Sequence, residues 1–301
     1  MLVARKPVKR QGKGKSAAAG LAMVSPAMVL FSIFGLWPIL QSLWISLHEW
    51  EGIGPMKWVG LANFVRMPSD RIVSLAFVNN VLYSIGIVLV AVVPGLVIAV
   101  LLASTTRGRT LFQAIFFLPR LFTQVIVALV WSWLFNPVFG LVNLGFKAIG
   151  LPSFAIGWLG DPTWALFAVI VAAGWTYYGF CMVIFLAALQ NTDPFLRDAA
   201  LIDGASELRI FFSVVLPQIR DTVTMVVVYT MIDSFKVFDI IYLMTRGGPG
   251  DSTQIISTYM YREAFRHNHF GYAAAISLVL TLFVLGVSLF IIRAREKGEE
   301  K

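Results

Sequence analysis

Long apolar stretches alternate with short polar segments along the whole chain. Six stretches run for about 20 residues or more with few charges, the length that crosses the hydrocarbon core of a bilayer. We interpret them as six transmembrane helices over residues 20–47, 77–104, 111–135, 163–190, 221–243 and 271–293. The pattern therefore predicts an all-α polytopic membrane protein, with loops too short to hold a soluble domain.

The composition supports this class and excludes others. Of the 301 residues, 58% are hydrophobic and only 13% are charged, whereas a soluble domain carries about 25% charged residues. The net charge of +8 does not indicate nucleic-acid binding, because the basic residues cluster in the tails and at loop ends. Cys181 is the single cysteine, so no intramolecular disulfide is possible.

Lysine and arginine are biased to one side of the predicted bundle. Fifteen lie in the tails and in the loops 105–110 and 191–220, against seven on the opposite side. The basic side is expected to be cytoplasmic, which places both termini there. We therefore divide the chain into a basic cytoplasmic tail (1–19), a transmembrane domain (20–293) and a cytoplasmic C-terminal tail (294–301).

The loop 191–220 is polar, although the spans around it are apolar. Asp193-Pro194 predicts a helix start, since Asp is a good N-cap and Pro is tolerated at the first helical position. That helix should run to Ile202, and Gly204 should then allow a turn that a residue with a Cβ resists. A second short helix is expected over 205–213, before the chain re-enters the membrane. An ordinary amphipathic connector is the alternative interpretation of this loop.

The spacing of Asp-Ala-Ala, Gly and Val-x-Leu-Pro between Asp198 and Pro217 resembles the EAA loop of ATP-binding-cassette (ABC) importer permeases, which docks on the ATPase. Four further segments resemble carbohydrate-importer permeases: Trp58-Val59-Gly60-Leu61-Ala62-Asn63-Phe64, Phe117-Leu118-Pro119, Trp133-Leu134-Phe135-Asn136-Pro137 and Gly247-Gly248-Pro249-Gly250. Together they cover most of the chain. They are similar to the maltose-transporter-like type I importers, and to the first of their two permease subunits.

The resemblance implies the type I ABC importer permease fold and a set of partners. These are a second permease subunit forming a heterodimer, two cytoplasmic ABC ATPases, an extracytoplasmic solute-binding protein and a sugar substrate. The complex would lie in a bacterial or archaeal plasma (inner) membrane. The coupling residues it implies are Asp198, Ala199, Ala200, Asp203, Gly204, Ala205, Leu216 and Pro217. Asp198 departs from the glutamate usual in the family, but keeps the carboxylate.

The chain is expected to be a transporter subunit without catalytic residues or a cofactor of its own. Gly14-Lys15-Ser16 lacks the upstream glycine of a phosphate-binding loop, because position 9 is Lys9. ATP and Mg²⁺ are therefore expected on the partner ATPase. The His267-x-His269 pair shows no third ligand in the sequence, so we expect a solvated loop and no metal site.

Charged residues inside the predicted spans are expected to face a cavity or a partner, because a charge at mid-bilayer costs about 2.5–3.5 kcal/mol. Arg120 falls in span three, and Asp233, Lys236 and Asp239 fall in span five, where they are spaced as an i, i+3, i+6 ladder. The resemblance places the sugar at the midplane. The contact positions it implies are Arg120, Gln124, Ala173, Thr176, Tyr177, Phe180, Thr230, Asp233 and Ser234.

Several interpretations of these residues stay open. Arg120 stands where the family often has an aromatic residue. It either pairs with Asp233 or with an acid of the partner subunit as a structural lock, or it binds an anionic solute such as a phosphorylated polyol. Tyr177 and Phe180 either bind the face of a sugar ring or only pack against neighbouring helices. A proton-coupled secondary transporter with Asp233 as relay is a further alternative, but it leaves the EAA-like loop unexplained. No nucleophile–base set supports a membrane enzyme.

Overall fold

A computed structural model describes residues 13–104 and 107–299, and these residues are almost entirely helical. Most of the basic N-terminal tail (1–12), residues 105–106 and residues 300–301 lie outside the described part. One two-residue ladder is present in that part, where His48–Glu49 pairs antiparallel with Lys57–Trp58. The α-helices, numbered α1 to α16 in chain order, are Lys13–Phe31, Trp37–Ser46, Ala62–Arg66, Arg71–Ile87, Val93–Ala103, Arg109–Phe117, Gln124–Leu134, Leu141–Ala148, Ala165–Gln190, Pro194–Ile202, Glu207–Ile210, Leu216–Gln218, Arg220–Phe235, Asp239–Met244, Ile256–Phe265 and Phe270–Glu299.

Four helical stretches are long and apolar enough to cross a membrane unbroken: Gly20–Ser46, Arg71–Ala103, Ala165–Gln190 and Phe270–Phe290. We name them spans 1, 2, 4 and 6. Two bent pairs supply spans 3 and 5, namely Arg109–Leu121 with Gln124–Leu134, bent by 96°, and Glu207–Gln218 with Arg220–Phe235, bent by 73°. The six expected spans are present if each bent pair counts as one, and the all-α polytopic fold is confirmed.

The bent spans differ from the continuous helices predicted over 111–135 and 221–243. In span 3, a 3₁₀ turn at Leu118–Leu121 is followed by extended backbone, where Pro119 cannot donate a helical hydrogen bond. In span 5, α13 ends at Phe235 and a separate helix begins at Asp239. The predicted Asp233-Lys236-Asp239 ladder is therefore wrong, because these residues do not share one helix.

Three π-helical segments each lie just before a proline. A proline ring clashes with the carbonyl four residues earlier, so the preceding turn widens to accommodate it. The bulges are therefore local consequences of proline placement. The segments and their prolines are Ser32–Leu36 before Pro38, Val88–Val92 before Pro94, and Phe211–Val215 before Pro217.

Span 4 is the centre of the bundle. It packs against helices of spans 2, 3 and 5, and its small residues let those backbones approach closely. Ala168, Ala172 and Ala173 are buried with Met182 and Phe185 in one apolar core. Span 1 is exposed along most of its length and touches the bundle mainly where α2 packs on span 6. Its apolar surface is therefore left for lipid or another protein.

A smaller core closes the end of the bundle opposite the loop 191–220. Asp70 caps span 2 by accepting the amide of Ile72 at 2.9 Å, and it also accepts the hydroxyls of Tyr259 at 2.6 Å and Tyr272 at 2.8 Å. Burial alone would raise the pKa of Asp70, but the hydrogen bonds it accepts lower the pKa below its ordinary value. One carboxylate thus joins α4, α15 and α16.

Candidate substrate site and coupling loop

The bend in span 3 brings a cation onto the aromatic face of span 4. The guanidinium of Arg120 lies 4.6 Å from the ring centre of Tyr177 and 5.3 Å from that of Phe180. The Tyr177 hydroxyl donates a hydrogen bond to Oδ2 of Asp233 on span 5. Three spans therefore meet at one polar cluster, and a cation over aromatic rings contributes about 0.5–2 kcal/mol.

Tyr177 links the two charges of this cluster. Among the ion pairs of residues 13–104 and 107–299, none joins Arg120 to Asp233. The direct pair considered from the sequence is absent there, and the tyrosine bridges the two side chains through its ring and its hydroxyl. Both charges are half-buried, so a polar ligand could compete for them without dismantling an ion pair.

Gln124 extends the cluster along the second half of span 3. Its Nε2 atom lies 3.5 Å from the hydroxyl of Thr176, at the outer limit of a hydrogen bond. Its Oε1 atom is buried and has no hydrogen-bond partner in the described structure. A buried carbonyl oxygen without a partner costs free energy, so a ligand hydroxyl that reached it would gain a hydrogen bond.

The remaining predicted contact residues lie behind this cluster. Ala173 is buried, and so are three hydroxyl residues, each of which donates to a carbonyl of its own helix: Thr176 to Ala173 at 2.8 Å, Thr230 to Val226 at 2.7 Å and Ser234 to Met231 at 2.6 Å. In this conformation the predicted substrate-contact residues therefore divide into two groups by exposure. Arg120, Gln124, Tyr177, Phe180 and Asp233 form the accessible part, and the others support it.

Two residues near the cluster were missed from the sequence. Tyr83 of span 2 is buried beside Tyr177 and Asp233. Tyr229 is exposed and packs on Phe180 with ring centres 5.2 Å apart. The run Asn79, Asn80 and Tyr83 on one face of an apolar span was a signal for the first, whereas Tyr229 gave none.

The loop 191–220 has the predicted first helix and turn. The Asp193 side chain accepts the amide of Phe195 at 2.9 Å, and α10 runs from Pro194 to Ile202. Gly204 follows with φ +77°. The Ala205 amide donates to the Ala200 carbonyl and the Gly204 amide to the Leu201 carbonyl, both at 3.0 Å, which is the Schellman arrangement. The second helix begins at Glu207, two residues later than predicted, because Ser206 is its N-cap.

This loop is braced internally and exposed outwardly. Arg197 on α10 pairs with Glu207 on α11 at 3.2 Å, and Oε1 of Gln218 accepts the Asp193 amide at 2.9 Å, so the loop's two ends are joined. Several of its apolar side chains are nevertheless exposed, among them Phe195 at 79% and Ile202 at 87%. The implied coupling residues Asp198, Ala199, Asp203, Gly204 and Pro217 are exposed, and Ala200, Ala205 and Leu216 are half-buried.

The sequence-based premise that His267 and His269 lack a third ligand is wrong. Glu263, one helical turn before His267, places a carboxylate oxygen within 4.8 Å of a nitrogen of each ring. The signal in the sequence is a glutamate four residues before His267, a spacing that places both side chains on one helix face.

The chain is similar in sequence to known transport proteins. The model of the family described as "Binding-protein-dependent transport system inner membrane component" matches residues 72–295. The "Probable ABC transporter permease protein YurN" of Bacillus subtilis is 33% identical, over 92% of this chain and 95% of its own length. The "Lactose transport system permease protein LacF" of Rhizobium radiobacter is 35% identical, over 92% and 94%.

A solved structure shares the architecture. One chain in the crystal structure of a bacterial ABC transporter involved in the import of the acidic polysaccharide alginate superposes with a TM-score of 0.80. It is 25% identical in sequence, and the match covers 94% of this chain and 96% of the other. The fold similarity therefore extends over nearly the whole of both molecules.

Proposed function

The chain belongs to the family of binding-protein-dependent transport system inner membrane components, and on that premise we propose that it is a permease subunit of an ATP-driven sugar importer. The observation that carries the sugar assignment is the cluster of aromatic rings, charges and a free amide oxygen at the middle of the bundle. Sugars present both apolar ring faces and hydroxyls, and such ligands are bound by aromatic platforms together with a few placed polar groups.

In this proposal each accessible residue of the cluster has a distinct role. Tyr177 and Phe180 give the sugar a platform, while Arg120 and Asp233 hydrogen-bond its hydroxyls. Gln124 offers Oε1, which has no partner in the described structure. Ala173, Thr176, Thr230 and Ser234 set the positions of these side chains, because they are buried in the helices behind them. Relatives named for lactose transport and for alginate import support a carbohydrate substrate.

The loop 191–220 is the proposed contact with the motor. A surface that is braced by an ion pair yet exposes Phe195 and Ile202 fits a rigid element that docks into a partner. We propose that this partner is a cytoplasmic ATPase that holds ATP and Mg²⁺. A second permease would complete the pathway, and both termini of this chain would then face the cytoplasm. ATP-driven movement of the loop would shift the bundle between two states, provided the ATPase binds one state better than the other.

Uptake into proteoliposomes tests the proposal. The full complex with its solute-binding protein is reconstituted and offered labelled sugars and sugar phosphates, with ATP on the ATPase side or with a proton gradient alone. The proposal expects uptake of a sugar that requires both ATP and the binding protein. Uptake driven by the proton gradient without ATP would overturn it, and selective uptake of a phosphorylated polyol would replace the sugar assignment.

A further inference from the structure

Glu263, His267 and His269 form a compact cluster at the end of the bundle opposite the loop 191–220. Nδ1 of His267 lies 2.7 Å from Oε1 of Glu263, and Nδ1 of His269 lies 2.8 Å from Oε2. The backbone tightens this turn, because the His269 amide donates to the Glu263 carbonyl at 2.8 Å and Asn268 has φ +58°. Both rings thus converge on one carboxylate.

The carboxylate of Glu263 is unusual for its burial. Its side chain is only 4% exposed, and within the described residues its carboxylate has the rings of His267 and His269 as its only hydrogen-bond partners. The neighbouring Arg262 is directed instead to Asp251, at 2.6 Å. A buried carboxylate needs partners that compensate its charge, and here the Nδ1 atoms of two imidazole rings lie beside its two oxygens.

Two imidazole nitrogens and one carboxylate oxygen are a ligand set that suits zinc and related divalent ions. The three ligand atoms already lie within 4.8 Å of one another, so binding requires little rearrangement. The rings are 48% and 45% exposed, which leaves an entry route and room for water as a further ligand. On binding, each ring would carry its proton on Nε2 and offer the Nδ1 lone pair.

We propose that Glu263, His267 and His269 bind a divalent transition-metal ion of the zinc type. The ion joins the end of α15 to the start of span 6. At that junction the Phe270 amide also donates a hydrogen bond to the Trp50 carbonyl at 3.0 Å. Metal binding therefore fixes three outer segments relative to one another, and it does not depend on which solute the protein transports.

The test is titration of the full-length chain in detergent, purified without a histidine tag and treated with a chelator. Binding of zinc is measured by calorimetry. Binding of Co²⁺ is measured by its visible absorption, which reports nitrogen and oxygen ligation directly. The expected result is one ion per chain and a rise in melting temperature. Removing a ligand by His267→Asn or His269→Asn should weaken binding at least about tenfold.

Glu49→Gln is the matched control, since Glu49 is an exposed carboxylate at the same end of the bundle, paired with Lys57. It should leave the zinc affinity unchanged. Glu263→Gln should abolish binding; because that change affects a buried group, the two histidine variants decide the question if it fails to fold. Zinc affinity that is unchanged in the His267→Asn/His269→Asn double variant, or no binding at millimolar zinc, would overturn the proposal.

Discussion

Replacing Gly204 tests whether the loop 191–220 transmits motion. The residue has φ +77°, and a Cβ added there would meet nothing within 4 Å, so any effect arises from backbone strain and not from a clash. Alanine in the left-handed region costs about 1–2 kcal/mol. Proline cannot adopt this φ, and it also removes the amide that donates to the Leu201 carbonyl. Gly204→Pro should therefore open the turn between α10 and α11, whereas Gly204→Asn should be tolerated.

The chain offers a closely matched control at Gly150. That residue has φ +79° and nothing within 4 Å of an added Cβ. It also ends a helix with the same hydrogen bonds, from the Gly150 amide to the Lys147 carbonyl and from the Leu151 amide to the Phe146 carbonyl. Gly150→Pro thus applies the same local strain at a turn outside the loop 191–220.

Uptake and ATPase activity of the reconstituted complex are the assays. Gly204→Pro should lower ATP-driven uptake at least about tenfold, which corresponds to about 1.4 kcal/mol of lost coupling, while the chain remains folded in the membrane. Gly150→Pro should lower the melting temperature comparably but keep uptake near the wild-type rate. Wild-type uptake by Gly204→Pro, or equal losses in both variants, would refute the docking role of this loop.

Two further substitutions test the central cluster and the outer carboxylate. Asp233→Ala removes the acceptor of the Tyr177 hydroxyl, so it should change substrate-stimulated ATPase activity while the complex still assembles; loss of the complex would mark Asp233 as structural. Asp70→Asn replaces the carboxylate that accepts hydrogen bonds from the hydroxyls of Tyr259 and Tyr272. The substitution should destabilise the chain by about 1–3 kcal/mol. Because the folded pKa of Asp70 is lowered from 3.8, its stabilisation is present above that value and is lost as pH falls through the folded pKa. The melting temperatures of wild type and Asp70→Asn should therefore differ by a constant amount near neutral pH, and this difference should narrow below about pH 4. A difference in melting temperature that widens in acid would contradict the assignment.

Features set by neighbouring residues were predictable from the sequence. Asp193, Pro194 and Gly204 determine a cap, a first turn and a helix end within a dozen residues, and the structure has all three. The four unbroken apolar spans also followed from apolar length alone, because hydropathy needs no tertiary information.

Features that depend on packing between distant segments were not predictable. The 96° bend in span 3 and the end of α13 at Phe235 interrupt apolar runs that look continuous in sequence. The contact of Tyr177 with Asp233 joins residues 56 positions apart; the resemblance to a family implied that both residues bind the substrate, but it did not indicate this contact. Which hydroxyls of this cluster are exposed was also hidden, since Thr230 and Ser234 share a helix face with Asp233 yet are buried.

The most direct test of the account is the ATPase activity of the reconstituted complex with its solute-binding protein, measured across a panel of sugars and sugar phosphates. The account predicts stimulation by one sugar, present only with the binding protein and lost in Asp233→Ala. Basal ATPase activity that no sugar stimulates would contradict the carbohydrate assignment. A chain that neither associates with an ATPase nor alters its activity would contradict the coupled importer itself.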